Sequence, residues 1–204
     1  MTPRAGPLAA AAALAAIVSI VSIAAGCMSG HVESWDAVGA PAPCASAALG
    51  TVAVLPETAW REDQKDRAER EAMALRAIER ALEGLGCGSL APPGGVRALA
   101  PWSAHGDAAL AAALAAEGVD TALLVRVEEL GPRVAVTLSL PILWVGTTEA
   151  DFRVRMLRTR DGAVWLDRRV RRTSGGPFQL RPAAWAEDEL AAGLRAALAG
   201  DAPR

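Results

Sequence analysis

Apolar positions along this chain change their spacing repeatedly between strand-like and helix-like periods. Thr51 to Leu55 is an apolar, β-branched run stopped by Pro56, which predicts a short strand over 51–56. A long helix is predicted from Glu62 to Leu85, because Leu75, Ile78, Leu82 and Leu85 fall on one face and Gly84, Gly86 and Gly88 end it. Val96 to Ala100 predicts a second short strand. Asp107 is the expected N-cap of an Ala-rich helix carrying Leu110 and Leu114 and closed by Gly118. Asp120 to Leu130 reads as a strand whose Ala122–Val125 section is apolar on both faces, hence central. Arg133 to Leu140 alternates, with Val134, Val136, Leu138 and Leu140 on one side, as a half-buried antiparallel strand does. Phe152 to Met156 alternates again, and Asp161-Gly162 supplies a tight turn into Ala163–Val170. A loop over 173–177 then leads to a final helix from Ala183 to Leu198, with Leu190, Leu194 and Leu198 four apart.

This order predicts an α/β fold: a single mixed β-sheet, β-α-β-α-β and then an antiparallel meander, with a C-terminal helix and the helices packed on the sheet. The domain is expected over residues 50–200. Residues 27–49, rich in small residues and Pro and without periodicity, read as a flexible tether.

Ahead of the tether, Arg4 is followed by a charge-free apolar run from Ala5 to Gly30, the layout of a secretory signal over residues 1–26. Ala24-Ala25-Gly26-Cys27 resembles the lipobox of bacterial lipoproteins, with Ala24 standing where a larger aliphatic residue is usual. The resemblance implies acylation of Cys27 and attachment to the membrane through that lipid. An uncleaved anchor and a plain signal peptide are the alternatives, since about 20 apolar residues can span a bilayer. Alanine is only marginally favourable in hydrocarbon, and no basic cluster follows the run. Met28 leaves no acidic residue after the cysteine, which points to the outer membrane, periplasmic face. Farther on, "TVAVLP", the long helix, "EGVDTALLVRV" and "TRDGAVW" resemble lipoproteins of the TolB-N-like class. That class includes curli-secretion and penicillin-binding-protein-activator lipoproteins, so the resemblance implies a scaffold, pore or activator without catalytic residues.

Charge and cysteine content narrow the picture further. A net charge of −2 argues against a general nucleic-acid binder. Lys65 is the only lysine, and Ala and Arg are so frequent that single occurrences carry little information. With Cys27 lipidated, Cys44 and Cys87 form an even pair in an exported chain, which favours a disulfide; two unrelated buried thiols are the alternative.

The residues offer little for catalysis, and no cofactor or metal site is expected. His31 and His105 are the only histidines, so an all-histidine metal site is excluded. Ser103, His105 and Asp107 are the residue types of a triad, but they fall within one turn where side chains diverge. The charged run from Arg61 to Glu71 reads as the solvated first half of the long helix, with Asp63–Arg67 and Asp66–Arg70 pairs; a docking surface is the alternative. Arginines from Arg153 to Arg172 concentrate on the last hairpin, either as a charged sheet edge or as a site for an anionic polymer. At Ile142, Leu143 and Trp144 the alternation fails beside Pro141, which predicts a connection carrying an apolar partner-binding patch; burial under the final helix is the alternative. The expected function is that of a membrane-anchored, non-catalytic binding or assembly component with an envelope protein partner. An oligomeric channel subunit or an envelope hydrolase using Ser103 or an acidic pair are the alternatives.

Overall fold

The computed structural model describes residues 29–38, 44, 49–87, 89–90, 101–137, 143–177 and 180–200. Cys27, the predicted strand at 96–100, and Ile142 lie outside the described residues. The elements are β1 (Ser29–Val38), β2 (Thr51–Thr58), α1 (Arg67–Leu82), β3 (Ser89–Leu90), a 3₁₀ turn (Trp102–Ala104), α2 (Asp107–Ala116), β4 (Thr121–Thr137), β5 (Leu143–Arg158), β6 (Val164–Pro177) and α3 (Ala183–Ala199). One six-stranded sheet runs in the order β1-β6-β5-β4-β2-β3, with β2 parallel to β3 and β4 and every other pair antiparallel. The fold is therefore the mixed α/β sheet with packed helices that the pattern predicts.

Several elements differ from the sequence reading. The stretch expected to be a free tether contains β1, which pairs with β6 from Ser29 opposite Gly175 to Val38 opposite Asp167. The two strands expected over 120–130 and 133–140 are one, β4, bent by a bulge between Val127 and Glu129. That extra residue matters physically. Val127 and Leu130 are three apart, yet both are buried in the same core, because the bulge restores the pleat. The expected loop at 173–177 is the end of β6. Gly175 permits it, since a Cβ there would meet the Gly146 carbonyl oxygen at 2.0 Å.

α1 begins at Arg67, five residues later than expected, after Asp66 in the left-handed region at φ 57°. Tertiary bonds hold the preceding turn. Gln64 donates to Glu129 at 2.6 Å, while Arg67 donates to the carbonyls of Arg61 at 2.9 Å and Glu62 at 2.8 Å. The Arg70 guanidinium likewise reaches the carbonyls of Lys65, Leu130 and Pro132 rather than the Asp66 carboxylate. The buried face of α1 is Met73, Ala74, Ala77, Ile78 and Ala81, and Leu75 is 40% exposed. Small residues let α1 lie close along α3, so the alanines, not the leucine spacing, mark the inner face.

Two cores result. α1 and α3 cover one face of the sheet over Leu123, Val125, Val127, Phe152, Val154 and Met156, with Leu190, Leu194 and Leu198 fully buried as the spacing predicts. Burial of each such side chain stabilises by about 1.5–3 kcal/mol. α2 and Trp102 cover a smaller part of the other face over Ala53, Leu55, Ala122, Leu124 and Leu157. Cys44 and Cys87 are bonded, with Cα atoms 4.6 Å apart, so the end of α1 does return beside the chain that enters β2.

Phe152→Ala should lower the unfolding free energy by about 3–5 kcal/mol, because the ring is fully buried against Gly193 and its removal leaves a cavity in the core. Replacing Cys44 and Cys87 together should cost about 4 kcal/mol for their separation of 43 residues. Urea midpoints measure both; a loss below about 1 kcal/mol for either variant would contradict these assignments.

Candidate functional site

The sheet face that α2 leaves uncovered is built from the outward positions of β4, β5 and β6. There strand alternation delivers arginines and carboxylates side by side rather than apolar residues. Arg153 stands directly opposite Arg169, a repulsive pair if left alone. Diagonal carboxylates neutralise it: Arg153 grips Asp167 with two bonds of 2.6 Å, and Arg169 donates to Asp151 at 3.0 and 2.7 Å and to Glu128 at 2.6 Å. Arg171 pairs with Glu149, which Arg133 also approaches at 3.4 Å. Hydrogen bonds to these carboxylates raise the pKa of Arg153, Arg169 and Arg171. This is a bonded lattice, not an uncompensated basic patch. Nor is it a sheet edge, because β1 covers β6.

At one end of the lattice Arg155 binds Asp107 through both terminal guanidinium nitrogens, at 3.0 and 2.9 Å. Asp107 is therefore not the N-cap of α2; Gly106 occupies that position. The carboxylate instead docks the first turn of α2 onto β5, where it also complements the helix dipole. The Arg155 hydrogen bond, followed by its charge, holds the Asp107 pKa below the ordinary carboxylate value.

At the other end lies Glu129, 4% exposed. Arg61, Arg70 and Arg133 approach it at 3.5, 3.6 and 3.7 Å, and Gln64 donates to Oε1. Burial nevertheless dominates and pushes its pKa above the usual range, against the lowering effect of those arginines. Its Oε2 has no hydrogen-bond partner. Sequence reading did not single out this group. Gln64 within a charged run was the only signal, and its partner is 65 residues away.

The triad-type residues are engaged elsewhere. Ser103 Oγ donates to Glu57 at 2.6 Å, Asp107 serves Arg155, and His105 is exposed. No hydrogen bond joins the three among the described residues. His31 contacts Glu33 at 3.1 Å. Leu143 and Trp144 are not in a connection as expected. They are the first residues of β5, paired with Thr137 and Val136 along an antiparallel ladder. Their side chains, like Ile142, lie outside the described residues.

No family model and no curated protein matches the chain. Among solved structures it is similar to the PelC dodecamer from Paraburkholderia phytofirmans, at 15% identity and a TM-score of 0.41, over 84% of this chain and 99% of that one. It is also similar to lipoprotein GNA1162 from Neisseria meningitidis, at 16% identity and a TM-score of 0.36, over 60% of this chain and 82% of that one.

Asp107 and Glu129 should give stability opposite pH slopes. A lowered folded-state pKa contributes stability above the ordinary carboxylate range and loses it as pH falls through the folded value. A raised one contributes below that range and loses it as pH rises through the folded value. Chemical denaturation from roughly pH 3 to 7 should therefore show wild type gaining on Asp107→Asn with rising pH and losing on Glu129→Gln. Parallel slopes for the two comparisons would refute the assignment.

Proposed function

We propose that this chain is a lipid-anchored bacterial envelope protein that acts without catalysis, as a binding or assembly component held at the outer membrane. The observation that carries this reading is which elements share one end of the sheet. β1 starts at Ser29, two residues after Cys27, opposite Gly175; Gly175 is opposite Thr147, and Thr147 is opposite Arg133. Beyond that row, Val134 to Thr148 contains no charged residue. Val134, Val145 and Leu180 are exposed, and Thr148 binds the backbone next to Leu180 through the Arg181 carbonyl at 2.6 Å. An acyl chain on Cys27 would therefore bring the charge-free end of the β4–β5 hairpin to the bilayer surface, since two extended residues reach only about 7 Å. Acyl groups hold firmly when more than one chain is attached, and exposed apolar side chains beside them add contact area.

The hairpin segment that contains Ile142, Leu143 and Trp144 is then a membrane-facing or partner-facing surface. The opposite end of the sheet, with the Asp161-Gly162 turn, faces away. Engagement of Ser103 and Asp107 in structural bonds supports a role without catalysis. A second reading, a subunit of an oligomeric envelope assembly, is supported by β1. Its outer edge has no strand beside it among the described residues, and such an edge can accept another strand.

Two measurements test the proposal. Intact mass of the membrane-extracted protein should give an acylated chain starting at Cys27, and Cys27→Ser should release the protein from membranes. A fluorophore on Ser139→Cys should be quenched by brominated lipid in reconstituted vesicles, while the same label on Asp161→Cys is not. An unmodified chain that retains residues 1–26, or equal quenching at both positions, would refute the proposal.

A further inference from the structure

A groove of about 350 Å³ opens between the β1–β6 edge and the beginning of α3. That is within the usual size for a small-molecule site, ~300–1,000 Å³. Its walls come from three elements: His31 on β1, Arg172 and Ser174 on β6, and Arg181, Trp185 and Glu189 from the α3 side. Trp185 and Glu189 are four apart and so share one face of α3.

The electrostatics of this groove differ from those of the lattice on the other sheet face. There the arginines stand among carboxylates at similar number; here two guanidiniums meet one carboxylate. Arg172 pairs with Glu189, but its Nε is buried with no hydrogen-bond partner. The Nε of Arg181 is also buried with no partner. Neither Nε is open to the groove, that of Arg172 lying beside Gly193, but the Arg181 side chain lines the groove with no carboxylate paired to it among the described residues, so the groove is short of negative charge. The end of α3 adds to the same deficit. Its N-cap is Pro182, with no side-chain cap, and no acid lies in the first turn. The positive end of the helix dipole thus favours negative charge near the groove. Trp185 supplies an apolar wall on which a ring or short alkyl body can rest.

We propose that this groove binds a small oxyanion, a carboxylate or phosphate carried on a sugar-sized body, with Arg181 as the donor, Arg172 as a second positive charge and Trp185 as the apolar wall. The site does not rest on the membrane anchoring described above, and it stands or falls separately from it. The same oxyanion chemistry is offered by a lipid headgroup phosphate and by a sugar acid.

Calorimetric titration of the full-length protein in detergent, with glycerol 1-phosphate, inorganic phosphate and glucuronate as probes, tests the site. At least one probe should bind saturably, and Arg181→Gln should weaken that binding about tenfold or more, the loss expected for one charge-assisted hydrogen bond. The backbone carbonyl that receives the Thr148 hydroxyl is kept in this variant, so its melting temperature should hold. Should it drop, Trp185→Phe takes its place, with weakened binding of the same probe as the required result. Arg155→Gln, on the opposite face, should leave binding unchanged. Preference for glycerol 1-phosphate assigns the site to a headgroup, and preference for glucuronate assigns it to a sugar acid. No saturation by any probe up to on the order of 100 mM, or equal weakening by Arg155→Gln, overturns the proposal.

Discussion

The antiparallel ladder between β4 and β5 is the constraint on which the rest of this structure depends. It pairs Thr121 with Arg158 at one end and Thr137 with Leu143 at the other, interrupted only by the bulge after Val127. Because side chains alternate along a strand, this one ladder divides the molecule into two chemically different faces. Without the bulge, Leu130 would turn toward the arginines and Glu129 toward the helices. The bulge instead keeps Leu130 opposite Ala150 in the larger core and sets Glu129 opposite Asp151 on the charged face.

Among the described residues, part of the charged face carries no helix. α2 covers only the end near Ala122, Leu124 and Leu157. Over the rest, arginine side chains lie across the strands and are fixed by diagonal carboxylates, so their aliphatic stems cover backbone while their charged ends stay near water. Individual exposed ion pairs contribute little, but shared partners constrain one another: Asp167 serves Arg153 and Arg155, and Asp151 and Glu128 both serve Arg169. Glu129 is the costly member. It is buried, one of its oxygens lacks a hydrogen bond, and its surrounding arginines also tie the turn before α1 to β4. The turn geometry at Asp66 follows from those ties rather than from local preference.

Placement of the ends links this architecture to the proposed role. β1 brings the start of the described chain to the side of the sheet where the β4–β5 hairpin is free of charge, and the disulfide fixes the later part of the entry segment at Cys44. The arginine lattice lies farther along the same strands, and the groove lined by Arg181 and Trp185 opens on the opposite face beside β1. Groove and lattice are thereby presented by one sheet.

The sequence alone determined the parts that depend on local pattern. Leucines four apart gave α3, because a helix repeats its face at that interval whatever it packs against. Asp161-Gly162 gave the β5–β6 turn, since Gly162 takes the positive φ that a tight turn requires. Cysteine parity gave the Cys44–Cys87 bridge. Only the tertiary structure decided the rest. β1 lacks an apolar alternation because it buries little on either face and gains its stability from the β6 ladder, a partner about 140 residues away. The inner face of α1 is alanine because α3 lies close beside it, which no spacing of leucines reveals. Asp107 left the capping role because Arg155, 48 positions later, offers two charged donors where the helix offers single neutral N–H groups. Local periodicity reads what a segment can be; pairing between distant segments chooses which side chain meets which, and in this protein that choice set the charged face and the groove.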